Sequence, residues 1–296
     1  MKLLYPTSLS LDPKLLEGFN ASIHSYDVKE PIPEDLTDAE GLITWCNSPS
    51  NLKDAASRCK KLKWIQSLAA GPNDVLNAGF DPKTVTITTG SGLHDQTVAE
   101  HTLGMLLTAA RKFHLMRDSQ TQGKWPGNLG GPQPDKAPGT FTTLHEARIL
   151  VWGFGNIAKT LTLYLRALGA EVKGVARHAG ETDALVMILP GSDSTKHALN
   201  AERLKVLPKH AWVVNVGRGT CIDEAALNSA LDEGAIGGAA LDVFEKEPLD
   251  ESSPLYKQKN VILSPHAAGG RPRGAEGLIA ENLRRFLAGQ ELKNVL

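Results

Sequence analysis

Short apolar runs alternate with segments of helical periodicity along the first part of the chain. The runs have the length and composition of strands and lie at residues 3–5, 22–26, 41–46, 64–68 and 85–88. Helical patterns at residues 12–19 and 52–60 lie between several of them. Strands that alternate with helices predict an α/β layer structure.

A second series of apolar runs follows the middle of the chain, and most of these runs end in polar, Gly or Pro residues. They lie at residues 149–152, 172–176, 184–189, 211–216, 238–241 and 261–264. Between the two series, residues 94–112 predict one long helix with a mainly apolar face, which would bridge the domains. Residues 125–143 are rich in Gly and Pro and predict an irregular excursion, either an arm to a partner subunit or a surface loop. Residues 274–287 predict a closing helix that returns to the first domain.

One stretch of the second series has a glycine pattern that indicates a ligand. The run at 149–152 is followed by Gly153, Phe154, Gly155, Asn156, Ile157 and Ala158, and then by a helical pattern. Gly153 permits a tight turn, Gly155 lets a pyrophosphate approach the backbone, and Ala158 lets the helix pack closely on the strand. The helix N-terminus would face the phosphates. The context favours dinucleotide binding by residues 153–157 over a ligand-free turn.

The end of the next strand predicts which dinucleotide binds. NAD-binding units usually place Asp or Glu there for the ribose hydroxyls, whereas this chain has Arg177 and His178. Arg177 can pair with a 2'-phosphate, which favours NADP(H) and leaves NAD(H) as the alternative. A solvated arginine at a strand end is the other interpretation.

The length of the chain indicates that it contains a second domain besides the dinucleotide unit. A dinucleotide unit accounts for only about half of 296 residues, of which 41% are hydrophobic. We expect an α/β protein of two Rossmann-like or flavodoxin-like domains, with doubly wound parallel sheets and an interdomain cleft. Residues 1–95 with 271–296 are the predicted substrate (catalytic) domain, and residues 96–270 are the predicted dinucleotide-binding domain.

Composition excludes several classes of partner. The 32 basic and 33 acidic residues nearly cancel, so nothing indicates nucleic acid or an anionic membrane surface. Cys46, Cys59 and Cys221 lack metal-ligand spacing and suit a reducing compartment without disulfides. There is no run long enough for a membrane span, and residues 1–5 enter a strand rather than a signal peptide. We expect a cytoplasmic protein that binds a small molecule and no metal.

The connection after Arg177 is unusually short. Only about seven residues precede the strand that starts at Ala184, whereas a parallel crossover needs a dozen or more. Either the chain lacks the crossover helix, or residues are missing from it. We favour missing residues, because a true deletion would uncover one face of the sheet.

Polar side chains follow several strands of the second series, and their chemistry indicates a reaction. Arg218, Asp242 and His266 should converge at the carboxyl ends of parallel strands. Arg218 can hold a carboxylate and polarise a carbonyl, His266 can transfer a proton, and Glu247 can orient the imidazole and raise its pKa. Reduction of a 2-oxo acid needs these three functions. Each residue alone also has an ordinary explanation, as a phosphate or surface contact, a loop histidine or part of a Glu-Pro turn.

The strings around these residues resemble the signatures of the D-isomer-specific 2-hydroxyacid dehydrogenases, and the resemblance covers nearly the whole chain. The matching strings are residues 64–71, 98–101, 215–219, 241–249 and 264–269. The resemblance implies that Arg218, Glu247 and His266 are catalytic and that Asp242 lies by the nicotinamide. It further implies that a turn offers backbone N–H groups to the substrate carboxylate, namely Ala69, Ala70 and Gly71.

The same resemblance implies the remaining contacts. The cofactor side would include Pro190, Thr195, Val216 and Gly217. Arg177 looks like the members that use NADP(H), notably glyoxylate and hydroxypyruvate reductases. In that branch Trp45 would line the substrate pocket, although a buried core tryptophan is the other interpretation. A homodimer is expected, with the long helix and residues 125–143 at its interface.

Three departures from the family pattern concern the cofactor turn and the substrate pocket. Ala158 replaces the usual third glycine, Pro72-Asn73-Asp74 follows the substrate turn where Val-Asp is usual, and the segment 269–273 could reshape the pocket. The leading hypothesis is NADPH-dependent reduction of a small 2-oxo acid, such as glyoxylate or hydroxypyruvate, to the hydroxy acid, which is the D isomer where a stereocentre forms. The alternatives are a NAD-dependent dehydrogenase of a larger, phosphoglycerate-like acid, and a nucleotide-sensing binding protein like the dehydrogenase-related corepressors.

Overall fold

The computed structural model describes residues 1–16, 18–132, 139–174 and 181–296, which form two compact units. The first unit comprises Met1–His94 and Arg271–Leu296, and the second comprises Asp95–Gly270. Each unit has its own parallel sheet with helices on both faces. The predicted α/β class and the two doubly wound sheets are therefore confirmed.

The described residues contain eleven strands, and all pairings between these strands are parallel. The first unit holds β1 (Lys2–Pro6), β2 (Ser22–Tyr26), β3 (Gly41–Thr44), β4 (Trp64–Ser67) and β5 (Thr86–Thr88). The second holds β6 (Arg148–Trp152), β7 (Glu171–Gly174), β8 (Ala184–Met187), β9 (Trp212–Asn215), β10 (Gly238–Leu241) and β11 (Val261–Leu263). The sheet orders are β2-β1-β3-β4-β5 and β11-β10-β9-β8-β6-β7.

The helices separate into the same two units. They are α1 (Pro49–Arg58), α2 (Asn73–Leu76), α3 (Asp95–Ala110), α4 (Phe113–Thr121), α5 (Asn156–Ala167), α6 (Ala201–Leu204), α7 (Glu224–Asp232) and α8 (Ala275–Leu287). In the first unit, α1 and α2 cover one sheet face and α8 covers the other. In the second unit, α3 and α5 cover one face and α6 and α7 the other. No described helix has both the length and the apolar character needed to cross a membrane.

One helix prediction was wrong, and one helix was missed. The segment predicted as a helix at residues 12–19 forms only a short 3-10 turn, Pro13–Leu16, and Gly18 follows it in the left-handed region at φ 90°. The sequence also failed to indicate α4. None of its residues is buried, and Lys112 in the left-handed region at φ 57° separates it from α3.

The short connection between β7 and β8 has to pass from one side of β6 to the other, because both strands pair with β6. It comprises residues 175–183, and residues 175–180, including Arg177 and His178, lie outside the described part of the chain. The sheet face over β6 and β8 is covered. Leu150 and Leu185 are buried in a cluster with residues of α6 and α7, and the Arg203 guanidinium lies 5.3 Å from the centroid of a Trp152 ring. In β7 itself, Val172 is half-buried and the other three residues are exposed. The expectation that residues are missing from this connection stays a prediction.

Candidate active site

Three neighbouring strands of the second unit lead into the predicted catalytic residues. β9, β10 and β11 are adjacent and parallel. Arg218, Asp242 and His266 each follow the end of one of these strands within three residues. Because the carboxyl ends of parallel strands lie at the same edge of a sheet, the fold brings these three residues to one edge.

The loop that carries His266 is fixed by Asp242, which is 1% exposed. One carboxylate oxygen of Asp242 accepts the Ala267 N–H at 2.8 Å and the Ser264 hydroxyl, and the other accepts the Ala268 N–H at 3.0 Å. The backbone N–H of His266 donates to the Asp242 carbonyl at 2.8 Å. These bonds hold His266 in the left-handed region at φ 51°.

His101 of α3 extends this network. Its Nε2 lies 2.9 Å from the Ser264 Oγ and 3.4 Å from the Asp242 Oδ1. Burial acts to raise the pKa of Asp242, but the hydrogen bonds from His101, Ser264 and two backbone N–H groups hold it below the ordinary value. Asp242 is therefore a carboxylate near neutral pH, and the structure adds to its predicted nicotinamide contact a second role in holding the His266 loop.

His266 and Glu247 form a close pair. The imidazole Nδ1 lies 2.7 Å from the Glu247 Oε2, and the Glu247 Oε1 accepts the Phe244 N–H at 3.0 Å. The hydrogen bond to Glu247 raises the pKa of His266 above its ordinary value, while burial and the charge of Arg218 oppose the rise. For Glu247, burial acts to raise the pKa, but the bonds from His266 and Phe244 and the charge of Arg218 lower it. Since Nδ1 faces the carboxylate, the second ring nitrogen, Nε2, is the atom that can exchange a proton with a ligand.

Arg218 is held by the residues just before it. The Asn215 side chain, 1% exposed, donates to the Arg218 carbonyl at 3.0 Å and accepts the Gly217 N–H at 3.1 Å. The Arg218 Nη1 donates to the Gly217 carbonyl at 2.8 Å. Gly217 is required here, because a Cβ at this position would lie 2.6 Å from the Leu189 carbonyl oxygen.

The loops that carry Arg218 and Glu247 are joined by a cluster of His197, Glu224 and Glu245, which we call the loop clamp. The Glu224 N–H donates to the Glu245 Oε1 at 3.1 Å, and the Glu245 N–H donates to the Glu224 Oε1 at 2.6 Å. The His197 Nε2 lies 3.0 Å from the same Glu245 oxygen. Burial and the Glu245 charge raise the pKa of Glu224, and the hydrogen bond from the Glu245 N–H opposes this. Sequence reasoning did not single out the clamp.

The loop that carries Arg218 and the loop that carries Glu247 also contact each other through their backbones. A Cβ on Gly219 would lie 1.9 Å from the carbonyl carbon of Phe244, so only glycine fits at this position. Gly219 follows Arg218, and Phe244 donates its N–H to Glu247. The spacing between Arg218 and the His266–Glu247 pair is thus set by direct contact of their loops.

The glycine turn between β6 and α5 fits a dinucleotide. Gly153 has φ 97°, and a Cβ there would lie 2.4 Å from the Ile188 carbonyl oxygen. Gly155 is the N-terminal cap of α5, and the space beside its Cα is open, so a phosphate can approach the backbone. The first turn of α5 has no acidic residue to repel one. Phe154 and Asn156 are exposed beside this opening.

A loop beyond β8 adds the other predicted cofactor contacts. The Thr195 Oγ1 donates to the Pro190 carbonyl at 2.7 Å and accepts the Ser192 N–H at 2.9 Å, so Thr195 closes a tight turn. The Val216 N–H donates to the Met187 carbonyl at 3.1 Å, which holds the start of the Arg218 loop against β8. These bonds fix Pro190, Thr195 and Val216 at the carboxyl edge of the sheet.

The first unit contains the other predicted substrate residues. Trp45 is half-buried and stacks on His94, with ring centroids 5.4 Å apart and an interplanar angle of 21°. The His94 Nε2 also lies 2.7 Å from the Leu68 carbonyl oxygen, just before the turn of residues 69–71. In that turn the Ala69 N–H already donates to the Ser67 Oγ at 3.3 Å, and Ala70 is exposed. His94 therefore braces both parts of the predicted subsite, a role that sequence reasoning missed.

Among the described residues, no group of three or more His, Cys, Asp or Glu side chains is arranged to hold a metal ion.

Comparison with known proteins identifies the family. Residues 103–268 match the model of the NAD binding domain of D-isomer specific 2-hydroxyacid dehydrogenases, which is more than half of the chain. The chain belongs to this family. The predicted family and the enzyme class, an NAD(P)-dependent 2-hydroxyacid dehydrogenase, are thereby confirmed.

Individual relatives agree with this assignment. The chain is 31% identical to a glyoxylate reductase of Aeropyrum pernix, across 99% of this chain and 93% of that protein. It is 30% identical to a glyoxylate/hydroxypyruvate reductase B of Cronobacter sakazakii, across 87% and 85% of the two chains. A crystal structure of a D-isomer specific 2-hydroxyacid dehydrogenase from Xanthobacter autotrophicus Py2, in complex with NADPH and MES, superimposes with a TM-score of 0.78 at 28% identity. That match covers 100% of this dehydrogenase and 98% of that chain.

Several side chains that hold the predicted site residues of the dehydrogenase in place lie in strings that were interpreted only as family signatures. His101, Asn215 and Ser264 lie in strings that carry the family resemblance, yet spacing does not show that they brace other residues. Glu224, Glu245 and His197 are spread over 49 positions, and only the parallel sheet brings them together.

Proposed function

We propose that the dehydrogenase reduces a small 2-oxo acid, of the glyoxylate or hydroxypyruvate type, to the D-2-hydroxy acid, with NADPH as the preferred reductant. The observation that carries this proposal is the His266–Glu247 pair, in which a 2.7 Å hydrogen bond raises the pKa of the imidazole. Because the raised pKa favours the protonated imidazole, His266 is suited to give the proton that carbonyl reduction needs. The relatives named glyoxylate reductase and glyoxylate/hydroxypyruvate reductase B support this choice of substrate.

Arg218 is the proposed anchor for the substrate. Its planar guanidinium can hold the carboxylate of a 2-oxo acid and polarise the adjacent carbonyl. The Asn215 and Gly217 contacts fix the Arg218 backbone, so the guanidinium is positioned before a substrate arrives. In the first unit, Ala69, Ala70 and Gly71 are proposed to bind a substrate carboxylate through backbone N–H groups, with Trp45 as a neighbouring substrate contact.

His266 is the proposed proton donor and Glu247 the residue that orients it. The nicotinamide, when bound, supplies the hydride to the carbonyl carbon. The imidazole Nε2 then gives its proton to the carbonyl oxygen, and Glu247 stabilises the imidazolium before the transfer. In the reverse direction neutral His266 accepts the proton from the hydroxyl. Asp242 holds the His266 loop in place in both directions of the reaction.

The glycine turn of residues 153–157 is the proposed pyrophosphate site, and Pro190, Thr195, Val216, Gly217 and Asp242 are proposed to line the rest of the cofactor site. The preference for NADP(H) rests on Arg177, with His178 beside it, and both lie outside the described residues. The NADPH complex of the Xanthobacter autotrophicus relative supports this preference.

We further propose a homodimer in the cytoplasm. Trp125 is 93% exposed and Phe113 is 54% exposed, so the stretch after α3 presents apolar surface that a second copy could cover. Free thiols at all three cysteines suit a reducing compartment. Gel filtration with light scattering should give twice the chain mass at micromolar concentration, and a monomer there would contradict the dimer.

The deciding experiment measures initial rates with glyoxylate, hydroxypyruvate, pyruvate and 3-phosphohydroxypyruvate, each with NADPH and with NADH. We expect kcat/KM for glyoxylate and hydroxypyruvate to be higher with NADPH than with NADH, and higher than kcat/KM for 3-phosphohydroxypyruvate. A preference for NADH with the phosphorylated acid would replace the proposal by a NAD-dependent dehydrogenase of a larger acid. Tight NADPH binding without turnover of any 2-oxo acid would instead indicate a nucleotide-sensing protein.

A further inference from the structure

A cavity of about 530 Å³ lies in the second unit beside the His266–Glu247 pair. Both of these residues line it, which places it next to the proposed proton donor. Its volume lies within the range of small-molecule binding pockets. The other lining residues are mostly apolar, namely Phe244, Pro248, Leu249, Tyr256, Leu263, Ser264 and Pro265.

The walls of the cavity rest on fixed elements. Leu263 is the last residue of β11 and pairs with Leu241 of β10. Tyr256 lies on a 3-10 turn, Pro254–Lys257, which is capped by the Ser253 hydroxyl and anchored by Leu255 at 1% exposure. A pocket with such walls is formed before a ligand binds, so it can discriminate by shape.

The charges at the cavity decide which chemistry it suits. Among the described residues that line it, Glu247 is the only acid and none is a lysine or arginine. A phosphate or a second carboxylate in the cavity would meet Glu247, and the positive charge that His266 can carry at these walls is already paired with Glu247 at 2.7 Å. An uncharged apolar group would instead bury surface against Leu249, Leu263 and the Tyr256 ring.

We propose that this cavity is the subsite for the side chain of the 2-oxo acid, and that it selects uncharged aliphatic or aromatic substituents over acidic and phosphorylated ones. The inference rests on the proposed reduction, and it widens the substrate class from glyoxylate to longer apolar 2-oxo acids. It assigns Leu249 and Tyr256 as specificity-determining residues.

The first test is a series of unbranched substrates with NADPH: glyoxylate, pyruvate, 2-oxobutanoate and 2-oxopentanoate, followed by 4-methyl-2-oxopentanoate, phenylpyruvate and 2-oxoglutarate. Each methylene that enters the cavity should raise kcat/KM about fourfold. We expect 2-oxoglutarate to fall below 2-oxopentanoate, because its second carboxylate would face Glu247. A series that is flat or falls with length overturns the subsite.

Two variants test the walls. Leu249→Trp fills the cavity and should lower kcat/KM for 4-methyl-2-oxopentanoate about tenfold while glyoxylate stays within about twofold. Tyr256→Lys puts a cation at the wall and should reverse the order of 2-oxopentanoate and 2-oxoglutarate. Tyr256 is 56% exposed, so the fold should tolerate the change, and Val206→Lys at 55% exposure elsewhere in the same unit is the matched control. Equal effects on glyoxylate and on the longer acids would overturn the subsite.

A binding measurement separates this inference from the proposed reaction. Calorimetric titration of the NADP⁺-saturated enzyme with the same acids reports affinity without turnover. If affinity rises with length but no acid is reduced, the proposed reaction fails and the subsite stands. If glyoxylate is reduced while neither affinity nor rate responds to length or to Leu249→Trp, the subsite fails and the proposed reaction stands.

Discussion

The carboxyl edges of the two sheets carry different chemistry. In the second unit, the strand ends lead to Arg218, Asp242 and His266, which carry or exchange charge and are held by hydrogen bonds from buried side chains. In the first unit, the ends of β3 and β4 lead to Trp45 and to the turn of residues 69–71, whose side chains do not titrate. His94 holds both, because its ring stacks on Trp45 and its Nε2 contacts the Leu68 carbonyl oxygen just before the turn.

This difference suggests a division of labour between the two units. Charged groups on the second unit would change the rate of proton and hydride transfer, whereas neutral groups on the first unit would change how well a substrate fits. Substitutions of the charged groups at the strand ends of the second unit should therefore act mainly on kcat, and those of the neutral groups at the strand ends of the first unit mainly on KM. The following predictions test this contrast, and their expected effects decrease in order.

Replacing His266 should have the largest effect. His266→Ala removes the proposed proton donor, and we expect kcat for glyoxylate reduction to fall by about 10²–10⁴-fold. NADPH affinity, measured by fluorescence titration, should stay within about twofold, because the glycine turn of residues 153–157 is untouched. His210→Ala is the control, since His210 binds Asp183 at 2.9 Å in the same unit without contacting the proposed site. Unchanged turnover in His266→Ala would exclude the mechanism.

Replacing Glu247 should shift the pH dependence. Reduction needs protonated His266, whose pKa lies above the ordinary 6.5, so activity should be high below that raised pKa and fall as the pH rises through it. Glu247→Gln removes the negative partner, while burial and the Arg218 charge still disfavour the imidazolium. The alkaline limb of kcat/KM should then move to lower pH, and kcat at neutral pH should fall about tenfold or more. A limb that does not move would show that Glu247 does not set this pKa.

Substitutions in the loop clamp should lower kcat less than the substitutions of His266 and Glu247. Glu224→Ala leaves the Glu245 N–H without its 2.6 Å acceptor, so the loops that carry Arg218 and Glu247 should lose their fixed spacing. We expect kcat to fall roughly tenfold with little change in NADPH affinity. Glu224→Gln, whose amide oxygen can still accept this bond, should restore most of the activity.

A matched control separates positioning from general stability. Glu233→Ala changes a carboxylate at the C-terminal cap of α7, which accepts a hydrogen bond from the exposed Ser229 hydroxyl at 2.7 Å. It should leave kcat and the pH profile unchanged. If Glu224→Ala lowers the melting temperature but moves neither kcat nor the alkaline limb, the clamp is structural only.

The sequence predicted the catalytic edge better than its supports. Apolar runs placed β9, β10 and β11 within a few residues of their observed ends, and family strings marked Arg218, Glu247 and His266. The side chains that hold these residues in place contact partners far away in the sequence, such as His101 with Ser264 over 163 positions. Local spacing in the sequence does not predict such contacts. α4, none of whose residues is buried, was missed as well. Pattern reasoning therefore named the groups that are proposed to act and, apart from Asp242, missed the side chains that hold them in place.

His94 offers the smallest and most selective test of the comparison. His94→Phe keeps an aromatic ring beside Trp45 but removes the 2.7 Å contact with the Leu68 carbonyl, a buried group whose lost partner costs about 1–3 kcal/mol. The turn of residues 69–71 should relax, and we expect KM for glyoxylate to rise about three- to tenfold while kcat changes less than about twofold. His114→Phe is the matched control, because His114 packs edge-on against Trp212 in the second unit, with ring centroids 5.5 Å apart. A fall in kcat with unchanged KM in His94→Phe would show that the first unit also takes part in the chemical step, and the division of labour between the two sheets would be wrong.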